Sequence, residues 1–215
     1  MKPLRRASFR VFSQVGVVVY AAFRLVAAEH TVSSDARGAW TPTGDLVAPS
    51  YACVAALLPD GNVLLAGRAG NSDSTNSEIY EVATGKWMLT APLRERRFGH
   101  TLTLLRDGKV LTTGGYHSGN GLLSSAELFD PVSRTWTNTG VMQRPHNKHT
   151  ATLLPNGKVL VVGGFDRTNA TADAELYDPA TRSWKLTAPL HQARGFHTAT
   201  LMTNGLVLVT GGDVD

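Results

Sequence analysis

The sequence predicts an all-β protein in which one structural unit is copied several times, and three observations support this prediction. A segment that in most copies ends in two glycines recurs at 51–68, 98–115, 147–164 and 195–212. A second segment that ends in tryptophan recurs downstream, and its tryptophans are Trp87, Trp136 and Trp184. Each copy of the first segment contains an Asp-Gly or Asn-Gly pair between apolar runs. A period of nearly 50 residues with strand and turn signals is typical of a β-propeller.

Each unit is predicted to fold as four antiparallel strands. Because the Asp-Gly and Asn-Gly pairs interrupt apolar runs, we expect a tight hairpin there, with both turn residues at positive φ. The second strand, for example 158–164, is apolar on both faces, as expected of a strand that lies between neighbouring sheets. A third strand such as 174–178, and a fourth strand that begins near Trp184, complete one blade.

These motifs resemble those of the kelch-repeat family of β-propellers, which includes galactose-oxidase-like proteins. The resemblance covers residues 40–212 and depends on the double glycine, the Tyr or Phe of the third strand and the Trp of the fourth. It implies a kelch-type β-propeller of four-stranded antiparallel blades. The first copy departs most from the pattern, with Gly67-Arg68 in place of the double glycine and Cys53 where the other copies have His.

The repeats amount to about three complete blades plus partial strands. The predicted segments are a leader at 1–28, a linker at 29–39, the propeller at 40–215, blades at 50–92, 98–141 and 147–190, and a partial blade at 195–212. Since propellers have about four to eight blades, we expect an incomplete ring. Our first interpretation is the N-terminal fragment of a longer propeller, with the strand at Trp40 closing the last blade. The alternatives are closure with four blades and pairing of the open ends with another copy.

The first 28 residues resemble a secretory signal peptide. They contain five basic residues and no acidic residue, and an apolar stretch runs from Val11 to Ala28. The rest of the chain has 16 basic and 17 acidic residues, so the isoelectric point of 9.4 reflects the leader. We therefore expect export to the periplasm or the extracellular space. The alternatives are a membrane anchor, for which the apolar stretch is short, and a cytoplasmic protein whose leader is not a true signal.

Composition argues against several other classes of site. Cys53 is the only cysteine, which excludes an intramolecular disulfide and a cysteine-rich zinc site, and its position in a strand predicts a small buried residue. The near-neutral repeats lack the basic excess and the aromatic residues that nucleic-acid binding requires. No residue pattern indicates a metal or another cofactor.

Residues that recur in every blade are interpreted as structural. Ligands of one metal ion must converge on one point, whereas equivalent positions on successive blades are separated in space. The glutamates Glu78, Glu127 and Glu175 belong to this structural class. The other structural repeat residues are Trp87, Trp136, Trp184, His100, His149, His197, Gly114, Gly115, Gly163, Gly164, Gly211 and Gly212.

Residues that differ between blades are interpreted as a binding surface. In an up-and-down blade, the loop between the second and third strands and the crossover to the next blade lie on one face, which we term the loop face. Its many hydrogen-bond donors favour an acidic or hydroxyl-rich ligand, such as a glycan or an acidic protein segment. The predicted ligand-binding residues are Arg68, Arg97, Tyr116, His117, His146, Asp166, Arg167 and Arg194. We expect alanine at both Arg97 and Arg194 to weaken binding without affecting folding.

No catalytic constellation is found in the sequence, which favours a non-enzymatic interaction module for a protein or carbohydrate ligand. The family resemblance also implies two enzymatic alternatives, a galactose-oxidase-like copper oxidase and a sugar-acid epimerase-type propeller. Tyr51 and Cys53 lie two residues apart, but no pattern assigns either to a copper site. Copper content and turnover of sugar acids would distinguish the three hypotheses.

Overall fold

The computed structural model describes residues 30–32, 40–48, 52–67, 75–167 and 169–214. The predicted leader and most of the predicted linker lie outside these ranges. All regular structure within them is β-strand, and no helix occurs there. These ranges accordingly contain no helix long and apolar enough to cross a membrane.

Two short strands precede the blades. They form a two-stranded antiparallel sheet of β1 (His30–Val32) and β2 (Trp40–Pro42), in which Val32 pairs with Trp40.

Most of the remaining strands form three four-stranded antiparallel sheets, which we term blades 1 to 3. Blade 1 contains β3 (Val54–Leu57), β4 (Val63–Ala66), β5 (Ser77–Glu81) and β6 (Lys86–Leu89). Blade 2 contains β7 (Thr101–Leu104) and β8 (Val110–Thr113) and, after the short pair β9 (Tyr116–His117) and β10 (Gly121–Leu122), β11 (Ala126–Asp130) and β12 (Thr135–Asn138). Blade 3 contains β13 (Thr150–Leu153), β14 (Val159–Val162), β15 (Ala174–Asp178) and β16 (Ser183–Leu186).

The last two strands form another two-stranded sheet. They are β17 (Thr198–Leu201) and β18 (Val207–Thr210). The first strands of successive units, β3, β7, β13 and β17, pack side by side in chain order. This arrangement is an arc of a propeller, and it confirms the predicted all-β fold of four-stranded blades in an incomplete ring.

The hairpins form where predicted, but their turns differ from the prediction. Gly61 has a φ of +87°, whereas Asp60 before it does not have a positive φ. Gly61 N donates to the carbonyl of Leu58 over 3.0 Å, and Leu58 N donates to the carbonyl of Asn62 over 2.8 Å. Pro59 restrains its own φ to negative values, so the chain makes a type I turn followed by one left-handed glycine. The prediction that both turn residues have positive φ was therefore wrong.

The hydrophobic core lies between adjacent blades. The cluster between blades 1 and 2 includes Leu64, Ile79, Val110, Phe129 and Trp136. The cluster between blades 2 and 3 includes Leu111, Leu128, Val159, Tyr177 and Trp184. Within each complete blade, the aromatic ring of the third strand packs on the Trp of the fourth, with centroids 4.9 to 5.3 Å apart. A blade therefore buries its apolar surface only when a neighbouring blade is present.

The sheet of β17 and β18 ends the arc and leaves part of its surface uncovered. Leu208 in β18 is 49% exposed, whereas Leu111, at the equivalent position of β8, is 0% exposed. Leu111 belongs to the cluster between blades 2 and 3. The exposure of Leu208 thus reflects the lack of a following sheet among the described residues.

Candidate functional site

The histidine before each first strand links two blades. Nε2 of His149 lies 2.9 Å from Thr113 Oγ1 in blade 2, and Nε2 of His197 lies 2.9 Å from Thr150 Oγ1 in blade 3. Both rings are buried. Burial is the main cause that lowers the pKa of His149 well below its ordinary value, and burial likewise lowers the pKa of His197. These histidines therefore remain neutral inside the protein.

His100 occupies the same position but faces a different neighbour. In blade 1, Val54 and Ala66 stand where blade 2 has its two threonine hydroxyls. The ring nitrogens of His100 have no hydrogen-bond partner of normal geometry in the part of the chain that the structure describes. Burial, and next the charge of Arg97, lower the pKa of His100 to about 3.

The residue three positions before each of these histidines hydrogen-bonds to the first glycine of a pair. Arg97 Nη1 donates to the carbonyl of Gly114 over 2.7 Å, and His146 Nδ1 donates to the carbonyl of Gly163 over 2.7 Å. Arg97 also contacts Glu127, with Nη2 to Oε1 at 2.9 Å. Arg97 is 1% exposed and His146 is 0% exposed, so neither side chain lines the exposed loop face. The sequence predicted that Arg97 and His146 lie on the loop face, but the structure buries both side chains. They point inwards because they donate hydrogen bonds to backbone carbonyls.

The recurrent glutamates order the crossover between blades. Glu127 accepts hydrogen bonds from Arg94 N and Glu95 N, and Glu175 accepts them from two consecutive backbone N–H groups of the next crossover. Burial alone raises the pKa of Glu175, but hydrogen bonds from His146 and the backbone outweigh it and hold that pKa below its ordinary value. Glu175 is therefore an ionised structural acceptor rather than a proton donor.

Of the other predicted ligand residues, Tyr116, His117, Asp166 and Arg167 lie in loops of the loop face. Tyr116 is half-buried, and its ring packs on Phe98 with centroids 5.2 Å apart. His117 Nδ1 accepts hydrogen bonds from Gly119 N and Asn120 N, both 2.9 Å. Arg194 is half-buried and donates to the carbonyl of Gly211, which is the same contact that Arg97 and His146 make, so it belongs with them rather than on the loop face. Asp166 and Arg167 are exposed. Arg68 lies outside the described residues.

A cleft on the loop face brings charged residues of both signs together. It has a volume of about 320 Å³ and is lined by Arg144, Pro145, Asp166, Arg167 and Asp173. The cleft thus offers guanidinium donors and carboxylate acceptors to one ligand.

An aromatic pair that the sequence analysis did not single out lies beside this cleft. The rings of Phe165 and Phe196 are 5.4 Å apart, and Lys148 Nζ lies 4.3 Å from the centroid of Phe196. Phe165 directly precedes Asp166, so the aromatic pair and the cleft share one loop. Phe196 is 46% exposed. The sequence contained a signal for Phe196, because Lys148 and Gly99 stand at the equivalent positions, whereas Phe165 is matched by Tyr116 in the preceding repeat.

Lys148 and Phe196 are held in an unusual backbone conformation. Both have a φ of +54°. Phe196 N donates to the carbonyl of Lys148 over 3.0 Å, and Lys148 N donates to the carbonyl of Gly99 over 2.8 Å. The equivalent residues of the preceding units, Gly99 and Ala52, also have positive φ, so this conformation recurs at each blade junction. This backbone ladder crosses from blade to blade just before the first strands.

The described ranges contain no cluster of three or more His, Cys, Asp or Glu side chains that could hold a metal ion.

Residues 100–140 and 148–191 each match the Kelch motif. Two segments of the chain are therefore kelch repeats. Among solved structures, the fold of this kelch-repeat protein is similar to that of YjhT, with a TM-score of 0.61 and 15% sequence identity. The similarity covers 74% of this chain and 56% of YjhT, so the kelch-repeat protein spans little more than half of that structure's length. No curated protein matches the kelch-repeat chain.

Proposed function

We propose that this kelch-repeat protein is a non-enzymatic binding module that is exported and holds a glycan on its loop face. The observation that carries this proposal is Phe196, a left-handed aromatic residue that is 46% exposed and packs against Phe165 beside a charged cleft. Kelch repeats build β-propeller interaction modules, and the loops of such a rigid scaffold are where binding concentrates.

The chemistry of the cleft suits hydroxyl groups. A sugar hydroxyl both donates and accepts hydrogen bonds, and the cleft offers Arg144 and Arg167 as donors with Asp166 and Asp173 as acceptors. The apolar face of a sugar ring can pack on an aromatic side chain such as Phe196. A purely acidic peptide would meet both carboxylates of the cleft, which disfavours it relative to a glycan.

Cationic groups near the aromatic pair favour a glycan that carries an acidic group. Lys148 Nζ lies 5.9 Å from the ring centroid of Phe165, and Arg167 is exposed two residues after Phe165. Both can pair with a carboxylate or sulfate on the sugar.

A glycan array tests the proposal, with three single variants of the purified chain. Phe196→Ala and Arg167→Ala should each weaken binding of the captured glycan by about tenfold or more, which corresponds to ~1.4 kcal/mol. Lys185→Ala removes an exposed cation from an outer strand and serves as the matched control, with unchanged binding. Capture of acidic peptides without any glycan would overturn the glycan assignment. Equal binding by the Phe196 and Arg167 variants would overturn the assignment of the loop face.

Export is proposed from the leader at 1–28, which lies outside the described residues. N-terminal sequencing of the protein secreted by its host should find a chain that begins at Glu29. A chain that keeps Met1 and stays inside the cell would contradict export.

A further inference from the structure

The two-stranded sheet of β1 and β2 has the geometry of the outer half of a blade. Val32 pairs with Trp40 as Phe129 pairs with Trp136 in blade 2. Gly44 N donates to the carbonyl of Gly85 over 3.2 Å, and the equivalent Ala91 N donates to the carbonyl of Arg134 over 3.3 Å. β1 and β2 therefore correspond to the third and fourth strands of a blade that precedes blade 1.

The two-stranded sheet of β17 and β18 has the geometry of the inner half of a blade. Thr198 pairs with Thr210 as Thr101 pairs with Thr113 in blade 2. The described residues pair β18 with β17 alone and β1 with β2 alone. In each complete blade, by contrast, the second strand pairs with the third. The two half-blades are thus the complementary parts of one four-stranded sheet.

The free side of the inner half-blade keeps the features of a blade interface. A Cβ on Gly114 or Gly163 would overlap the backbone of the next unit, whereas a Cβ on Gly211 would meet nothing within 4 Å. Thr198 Oγ1 lies 3.0 Å from Thr210 Oγ1, and the equivalent threonine hydroxyls of blade 2 are 2.7 Å apart and contact His149. With the exposed side chain of Leu208, this surface is shaped to receive another blade.

The two half-blades do not meet within the described arc. β17 packs on β13, and β3 packs on β7, but β17 and β3 do not pack on each other as neighbours in a closed ring would. Among the described residues, each half-blade therefore lacks a partner sheet.

We propose that a second copy of this chain closes the ring by supplying the missing half of each incomplete blade. The β17–β18 sheet of one copy pairs with the β1–β2 sheet of the other, and the reverse pairing forms the second composite blade. Two copies then provide six complete sheets and two composite ones, which is eight blades and within the usual range of four to eight. Head-to-tail contacts of this kind are stable when the ring closes.

The complete blades specify the register of the new pairing. Leu64 and Leu111 of the second strands lie opposite Ile79 and Leu128 of the third strands. By equivalence, Leu208 lies opposite Thr31 of the second copy. The backbone ladder continues in the same way, because Ala52 has a φ of +52°, like Lys148 and Phe196. Ala52 N of the second copy then donates to the carbonyl of Phe196.

Light scattering on the purified 215-residue chain is the first test. The expected mass in solution is twice that of one chain, whose full sequence has a mass of 23.0 kDa. Leu208→Asp should give a monomer at concentrations at which the unaltered chain is a dimer. Leu206→Lys is the matched control and should stay dimeric, because Leu206 is 61% exposed in the turn and the equivalent residues of blades 2 and 3 are lysines. A monomeric unaltered chain overturns the proposal.

Disulfide crosslinking tests the register and the source of the partner strand. Thr31→Cys and Leu208→Cys are made in separate chains that also carry Cys53→Ala, and the two chains are mixed. Directly opposed residues of antiparallel strands are about 4.5–5.5 Å apart at Cα, which suits a disulfide. The mixture should form a two-chain disulfide that neither variant forms alone. A dimer without this crosslink overturns the proposal, and so does an intrachain disulfide in a monomer that carries both cysteines.

Discussion

Nε2 of His149 in blade 3 and Oγ1 of Thr113 in blade 2 are joined by a hydrogen bond of 2.9 Å. Both residues are buried, so the bond lies inside the interface between the two blades. At the preceding interface, Ala66 replaces the threonine, and His100 is left without an equivalent hydrogen bond of normal geometry. The same histidine therefore contributes differently at each interface, depending on the blade before it.

Thr113→Val should lower the free energy of unfolding by about 1–3 kcal/mol, because it leaves His149 Nε2 with only the longer contact to Thr101. Thr112→Val is the matched control and should be neutral or stabilising. Thr112 is fully buried, its hydroxyl has no hydrogen-bond partner among the described residues, and blade 3 has Val161 at the equivalent position. Urea titrations measure both, and equal losses from the two substitutions would contradict the role of the hydrogen bond.

The protein should lose stability as the pH falls from about 6.5 towards 3. The pKa of His100 is about 3 in the folded chain, because burial penalises its charged form, and 6.5 is its ordinary value. The unfolded chain therefore binds a proton in this window while the folded chain does not, and the free energy of unfolding falls by ~1.4 kcal/mol per pH unit. Above pH 6.5 this contribution is fully present. His100→Gln should show a shallower decline in urea titrations at pH 7, 6 and 5, and an unchanged slope would refute the assignment.

Gly114→Ala should destabilise the protein far more than Gly61→Ala. Both glycines have positive φ, which costs alanine about 1–2 kcal/mol at either site. A Cβ on Gly114 would also lie 2.2 Å from the carbonyl oxygen of His146, whereas a Cβ on Gly61 would meet nothing within 4 Å. Similar thermal midpoints for the two variants would show that the blade interface can move apart at no cost.

Arg97→Ala should destabilise the fold by about 3–5 kcal/mol, since it leaves the buried Glu127 carboxylate without its guanidinium partner. This prediction replaces the expectation from sequence that alanine at Arg97 leaves folding intact. Arg167→Ala is the control, because Arg167 is exposed and its loss should change stability by less than about 0.5 kcal/mol. Chemical denaturation distinguishes the two, and a stable Arg97→Ala variant would place that side chain back among the candidate ligand residues.

Trp136→Ala should cost about 3–5 kcal/mol of unfolding free energy. The ring is 2% exposed in the cluster between blades 1 and 2, and its Nε1 donates to Ser77 Oγ over 2.9 Å. Trp136→Phe keeps most of the apolar contact and should lose much less. If alanine and phenylalanine were equally tolerated in calorimetry, the ring could not be a core residue.

The sequence predicted the strands well because each blade carries its own local signals. The glycine turns, the doubly apolar second strands and the tryptophan of the fourth strand all act within one repeat of the chain. The turn type was missed because each loop spans three residues, as the hydrogen bond from Leu105 N to the carbonyl of Lys109 shows, whereas a turn with two positive φ values needs a two-residue loop. The loop-face site was predicted only in part, because Arg97 and Asp166 are both polar loop residues in sequence, yet one is buried and the other is exposed.

The sequence by itself determined the all-β class, the repeat period and the four-stranded unit, because hydrophobic alternation and turn chemistry are properties of neighbouring residues. Only the tertiary structure decided which polar groups are internal. Arg97 and His146 are buried because backbone carbonyls of the glycine pairs, 17 positions away in sequence, face them. Tertiary contacts also placed Lys148 against Phe196, a pair 48 positions apart on successive units. Such groupings depend on how one blade docks on the next, and no local pattern in the chain encodes that geometry.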